Sequence, residues 1–159
     1  MDAFHYFGTD DLYLDYLTRF LRPEGQIGVV VPGLIRPLEG APIPAHLLEP
    51  QANGKSFWED ACCCFHTPTW WREHWARAGL SVRIGDTLED GWRHWRDFEL
   101  AVEKAGKNLF PSDAEALTRD RGETLGFVRL VATRKPALGP NLYDPALLSS
   151  FPPGSGHPT

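Results

Sequence analysis

Thr9-Asp10-Asp11-Leu12-Tyr13-Leu14-Asp15-Tyr16-Leu17-Thr18-Arg19-Phe20-Leu21-Arg22-Pro23-Glu24-Gly25-Gln26-Ile27-Gly28-Val29-Val30-Val31 reads as a helix, a turn and a strand in immediate succession. Thr9 or Asp10 can cap the helix, because a short side-chain oxygen accepts from backbone N–H groups left free at a helix start. Tyr13, Tyr16, Leu17 and Phe20 then fall on one helical face. Pro23-Glu24-Gly25 stops the helix and turns the chain. Residues 27–31 form a nearly continuous β-branched run, the pattern of a strand covered on both faces. Helix followed by buried strand is half of a βαβ unit, with its first strand missing. The aromatic opening Met1-Asp2-Ala3-Phe4-His5-Tyr6-Phe7-Gly8 fits a loop that leaves such a strand.

Downstream, Pro32, Pro37, Pro42, Pro44 and Pro50 mark residues 32–55 as a long loop, with a helical turn expected near 45–49. Residues 56–65 are ambiguous between helix and loop. Thr67-Pro68 is a helix start, with Pro where its missing N–H costs nothing. Trp70, Trp71, His74, Trp75 and Ala78 follow at helical spacing, and Gly79 stops them. Leu80, Val82 and Ile84 alternate as in a strand. A second strong helix is expected over 89–105, with Trp92, Trp95, Phe98 and Val102 on one side, and a weaker one over 112–121. Residues 125–133 read as the final strand. This places one domain portion at residues 1–135 and a flexible Pro/Gly/Ser-rich tail at 136–159.

Composition removes several function classes. The chain has 159 residues, room for one domain, and carries a net charge of -5. With no basic run, binding to nucleic acid through phosphate neutralisation is disfavoured. Acidic residues also dilute the stripe Trp92-Arg93-His94-Trp95-Arg96, which otherwise resembles a base-stacking surface. No stretch approaches the roughly 20 apolar residues of a membrane span, and the start does not read as a signal peptide. The expectation is an intracellular, cytoplasmic protein. Cys62, Cys63 and Cys64 are consecutive and lack Cys-x-x-Cys spacing, so they form neither a disulfide framework nor a zinc site with His66, and no metal is expected.

Asp2-Ala3-Phe4-His5-Tyr6-Phe7-Gly8-Thr9-Asp10-Asp11-Leu12-Tyr13 resembles the loop after the fourth strand in bacterial class I methyltransferases related to the cyclopropane-fatty-acid synthases. Pro23-Glu24-Gly25-Gln26-Ile27-Gly28 is similar to the approach to their fifth strand. His66-Thr67-Pro68-Thr69-Trp70-Trp71-Arg72-Glu73-His74-Trp75 and Asp86-Thr87-Leu88-Glu89-Asp90-Gly91-Trp92 are similar to their later helix and the segment after the sixth strand. The resemblance runs over residues 2–134, in order. It implies an α/β fold: the C-terminal half of a Rossmann-like methyltransferase sheet, with its last strand antiparallel. It also implies S-adenosylmethionine as cofactor of the complete enzyme and a small molecule as methyl acceptor.

Two parts of the family pattern are absent. The Gly-rich turn after the first strand and the acidic residue that ends the second, which hold the methionine and ribose portions by logic parallel to dinucleotide binding, have no counterpart here. Gly25-Gln26-Ile27-Gly28 precedes or enters a strand and is not that turn. Within the resemblance, His5 and Tyr6 become the catalytic candidates, His5 as base and Tyr6 orienting the acceptor or meeting the sulfonium. Asp2 and Phe4 become the cofactor contacts. His66, Trp70, Trp92 and Trp95 become the acceptor-binding candidates, since aromatic faces attract ammonium and sulfonium charge. Each also has a plain reading: His5 and Tyr6 pack the loop, Asp2 caps it, the tryptophans fill helix core, and Asp10 and Asp11 sit at the positive end of a helix dipole. His5 stands where cyclopropane synthases carry a glutamate in Phe-Glu-His-Phe-Gly, which favours plain methyl transfer over cyclopropanation.

The expected function is therefore the acceptor-binding half of a truncated S-adenosylmethionine-dependent methyltransferase, inactive in isolation. The alternative is a non-catalytic remnant or interaction module that completes its sheet as a homodimer or with a missing N-terminal half. Either way, the strand at 27–31 is expected to expose a long apolar edge.

Overall fold

Asp10 accepts from the Tyr13 N–H at 2.9 Å and starts helix α2, Asp11–Thr18, which follows a single helical turn, α1, Phe4–Phe7. The computed structural model describes residues 3–38 and 40–135; Asp2 and the tail expected at 136–159 lie outside the described residues. In α2 the inward residues are Leu14 and Thr18, while Tyr13, Tyr16 and Phe20 face outward. The aromatic face identified in the sequence is therefore not the core face. Phe4, Trp71 and Trp75 already fill the space beneath the helix, and Leu14 is the side chain that meets them. The outward rings pack on each other instead, with Tyr16 edge-on to Phe20 at 5.0 Å.

Three strands form one sheet: β1, Gln26–Leu34; β2, Leu80–Thr87; and β3, Leu125–Arg134. Their spatial order is β1-β3-β2, and β3 runs antiparallel to both neighbours. β1 and β2 thus point the same way, with the last strand inserted between them. Register sets Val31 opposite Val128 and Val29 opposite Leu130, and β2 joins on the other side with Val82 opposite Ala132. Because side chains alternate across a strand, Val29, Val31, Val82, Val128, Leu130 and Ala132 share one face.

That face is covered by α4, Pro68–Arg77. Thr67 caps it by accepting from the Trp70 N–H at 3.3 Å, Pro68 occupies its first position, and Gly79 at φ 75° ends it as expected. Trp71 and Trp75 project onto the sheet and are fully buried. Burying a large aromatic side chain contributes several kcal/mol, so these two anchor the first core. The corner between α1 and α2 is tied to α4 by His74, whose Nε2–H donates to the Gly8 carbonyl at 2.7 Å. Its Nδ1 lies 3.0 Å from Arg77 and 3.1 Å from Asp11.

A second core gathers beyond the last residues of β1. It joins the short helix α3, Ala45–Leu48, a 3-10 turn at Asp60–Cys64, helix α5, Gly91–Lys104, and helix α6, Ala114–Asp120. Leu34, Leu47, Phe57, Trp95, Leu117 and Leu125 meet there. Asp120 holds its base: the fully buried carboxylate accepts from the Thr124 and Leu125 N–H groups at 3.0 and 2.9 Å and faces His46 Nε2 at 3.0 Å. Cys62 and Cys64 are buried here, their thiols directed at the Phe57 and Ala61 carbonyls. Burial pushes the Cys64 thiol up to about 11 and that of Cys62 in the same direction.

The second face of the sheet corrects one expectation. β1 is not covered on both sides: Val30 is 51% exposed, and Ile84 on β2 is also exposed. On this face α5 reaches Phe127, on which Trp95 stacks at 5.6 Å. The rest carries Arg129 paired to Asp86 at 2.7 Å. The outer edge of β1 has no strand beside it among the described residues. Within α5 the expected apolar side also divides, because Trp95 is buried whereas Phe98 is 64% exposed.

Candidate functional site

Where α1 crosses the end of β1, and α5 leans over the same end, the chain encloses an open cavity of about 330 Å³. Its walls are Phe4 and His5 from α1, Val30, Val31 and Pro32 from β1, and Phe127 from β3. The fourth wall is α5, which contributes His94, Trp95, Phe98 and Glu99. Trp95, Phe98 and Glu99 share one helical face because positions three and four apart are neighbours on a helix. Pro32 and Phe127 face each other in adjacent strands, which is why the same side of the sheet provides the floor.

Three of the candidates from the sequence come together here: Phe4, His5 and Trp95. His5 is only 3% exposed, stands beside Tyr6 with ring centroids 3.9 Å apart, and borders Phe65 at 5.7 Å. Tyr6 is half exposed and lies next to His5 outside the cavity lining. Phe4 has two partners: it lines the cavity and also packs on Trp71 at 5.9 Å and Trp75 at 6.1 Å. His66, Trp70 and Trp92 sit elsewhere. His66 lies flat on Trp70 at 3.5 Å, beside α4. Trp92 covers Gly122, where an added Cβ would lie 2.3 Å from the indole, and takes Arg93 and Arg96 against its ring at 5.3 and 5.1 Å. Asp2 lies outside the described residues.

Glu99, His94 and Phe127 were not among the sequence candidates. A signal for Glu99 exists: it follows Trp95 by four positions, a carboxylate on the same face as an aromatic ring. Phe127 needs the register of β3 against β1, which is not local information.

Chemically, the cavity offers aromatic walls, one carboxylate and two imidazoles, a setting for a small organic molecule with a polar or cationic head. Two observations weigh against a complete cofactor cradle. Among the described residues no glycine lines the cavity, so none of them opens the backbone to a closely held bulky ligand. Glu99, the one carboxylate among the described lining residues, cannot serve both a ribose and an amino-acid ammonium group. The described lining residues do not fit S-adenosylmethionine by themselves. Among the described residues no cluster of three His, Cys, Asp or Glu could hold a metal ion, and no helix is long and apolar enough to cross a membrane.

Two parallel strands with the last strand antiparallel between them, helices packed on both sides and a cavity at one strand end define a mixed α/β, partial Rossmann-like fold of the methyltransferase type. One solved structure of this fold is that of a protein from Galdieria sulphuraria described as a putative sarcosine dimethylglycine methyltransferase. The two superpose with a TM-score of 0.51 at 14% identity, over 86% of this chain and 52% of that one. The chain thus spans about half the length of that protein, and at this identity the likeness establishes the fold alone. No protein-family model matches the chain, and no curated protein matches it in sequence.

Proposed function

We propose that this chain is the acceptor-binding, C-terminal half of a class I S-adenosylmethionine-dependent methyltransferase of the cyclopropane-synthase-related group, acting on a small molecule. The observation that carries the reading is the antiparallel strand β3 lying between β1 and β2, with a cavity at the end of β1 closed by α1 and α5. Methyl transfer requires donor and acceptor to be held in line at close range. This chain supplies the acceptor side. Phe4 and Trp95 wall the space, His5 takes the acceptor proton and Tyr6 orients the group beside it. Asp2 and Phe4 border the cofactor, while His66, Trp70 and Trp92 lie outside the cavity. The cofactor cradle must come from a complementary half added along β1.

A calorimetric titration of the folded chain with S-adenosylmethionine tests this. No saturable binding is expected alone, and micromolar binding is expected once an N-terminal methyltransferase half is fused ahead of Asp2. Micromolar binding by the chain alone, or a folded fusion that binds nothing, overturns the reading. The lack of a cradle and the open β1 edge also favour a second reading, an interaction module without catalysis. A fusion that binds the cofactor yet transfers no methyl group to any small amine or hydroxyl acceptor supports that reading.

A further inference from the structure

We propose that His74 is a proton-operated clamp on the corner between α1 and α2: neutral, its Nδ1 accepts from Arg77; protonated, the same nitrogen donates to Asp11. Nε2 fixes the starting point. It lies 2.7 Å from the Gly8 carbonyl, which can only accept, so Nε2 carries a hydrogen in either state. In the neutral ring Nδ1 is then a bare lone pair. That nitrogen has two neighbours of opposite demand. The Arg77 guanidinium at 3.0 Å can only donate, and the ionised Asp11 carboxylate at 3.1 Å can only accept. One nitrogen satisfies one of them at a time, and its proton decides which.

The exchange is local. The ring is buried, held by Gly8 and stacked with Trp70 at 4.7 Å, so it does not turn toward water. Arg77 and Asp11 are both more than half exposed and lie 3.5 Å apart, so either can swing out as the other takes the nitrogen. Among the described residues, three further titratable groups act on His74. Asp10 at the cap of α2 and Asp15 within it favour the imidazolium, and His66 ahead of α4 opposes it when protonated. Burial outweighs the acids and keeps the ring neutral above its ordinary 6.5, so the exchange falls on the acid side of that value. Protonation adds a bond to the first turn of α2 and makes the Gly8 bond a charge-assisted one. Gly8 closes α1, which carries Phe4 and His5 of the cavity wall. Acid therefore tightens this corner, whatever the cavity binds, even as burying the charged ring lowers the stability of the whole fold.

Long-range 1H–15N spectra of the full 159-residue chain, recorded from pH 8 to pH 4.5, report the tautomer and midpoint of His74. Backbone amide spectra of the same samples follow Tyr6, Phe7 and Gly8. The Nε2–H tautomer is expected at pH 8, and the three amides are expected to move with the His74 midpoint. Asp11→Ala should lower that midpoint by about half a pH unit and remove most of the amide movement, whereas Arg77→Gln should raise it by a similar amount and leave the movement intact. Both substitutions are at exposed positions and leave the core unchanged. An Nδ1–H tautomer at pH 8, amides that do not follow His74, or undiminished movement in Asp11→Ala overturns the proposal. None of these readouts involves S-adenosylmethionine, so failure here is distinct from failure of the methyltransferase reading.

Discussion

His66 is held neutral by its surroundings. Stacked on Trp70 and half-buried, its imidazole is pushed down to about 4, mainly by desolvation and secondarily by the nearby His74. Burial lowers His74 as well, although the Gly8 carbonyl and Asp11 oppose the shift. The usual value is 6.5, so above that pH the ring is neutral in both folded and unfolded chains. As pH falls from 6.5 toward about 4, the unfolded chain takes up the proton first, and stability declines through that window. Urea midpoints at pH 7.5 and 4.5 will show the decline, and His66→Phe will shrink it while His74 maintains the remainder. Equal declines in both proteins would show that the stacked ring is not the group responsible. The family resemblance marked His66 as an acceptor-binding candidate; its flat contact with Trp70, four positions on, depends on how the chain enters α4.

At the scale of elements, Asp120 is the joint between α3, α6 and β3. Asp120→Ala strips the Thr124 and Leu125 N–H groups of their acceptor inside a sealed region and releases His46. Leaving two buried donors unpaired costs about 3 kcal/mol, readable as a lower urea midpoint. Asp120→Asn, which keeps one oxygen acceptor, should lose less. Helix α4 and strands β2 and β3 were legible in advance, since Thr67-Pro68, Gly79 and the alternation at Leu80, Val82 and Ile84 are local signals with local causes. The long loop with a turn near 45–49 was legible for the same reason. Helix α2 was legible as a helix but not in its orientation. Its aromatic stripe and its Leu14–Thr18 stripe are both plausible core faces, and only the tryptophans of α4, some sixty residues away in sequence, settle which one turns inward. The same holds for α5, where one apolar stripe divides between a buried Trp95 and an exposed Phe98 at the mouth of the cavity.

For the whole molecule, the decisive feature is an apolar strand at the sheet edge. Among the described residues no strand lies beside the outer edge of β1, and the backbone groups along that edge form a template for another strand. Sedimentation velocity over a range of concentrations should therefore show association of the isolated chain, and Val30→Lys should suppress it without lowering the unfolding midpoint by more than about 1 kcal/mol equivalent, as expected for an exposed position. A monomer at every concentration would mean that the edge is protected. Sequence by itself determined the types of the longer elements and their order helix, strand, helix, strand, helix, helix, strand, because capping, hydrophobic period and glycine placement act over a few residues; it read as loop the residues that form the short turn α1. Only the tertiary structure decided which faces are covered, that Phe127 and Glu99 share a cavity with Phe4 and His5, and that His66, Trp70 and Trp92 lie outside it. Those outcomes depend on strand register and on competition among large side chains for limited core volume, and both are set by contacts between residues far apart in the chain.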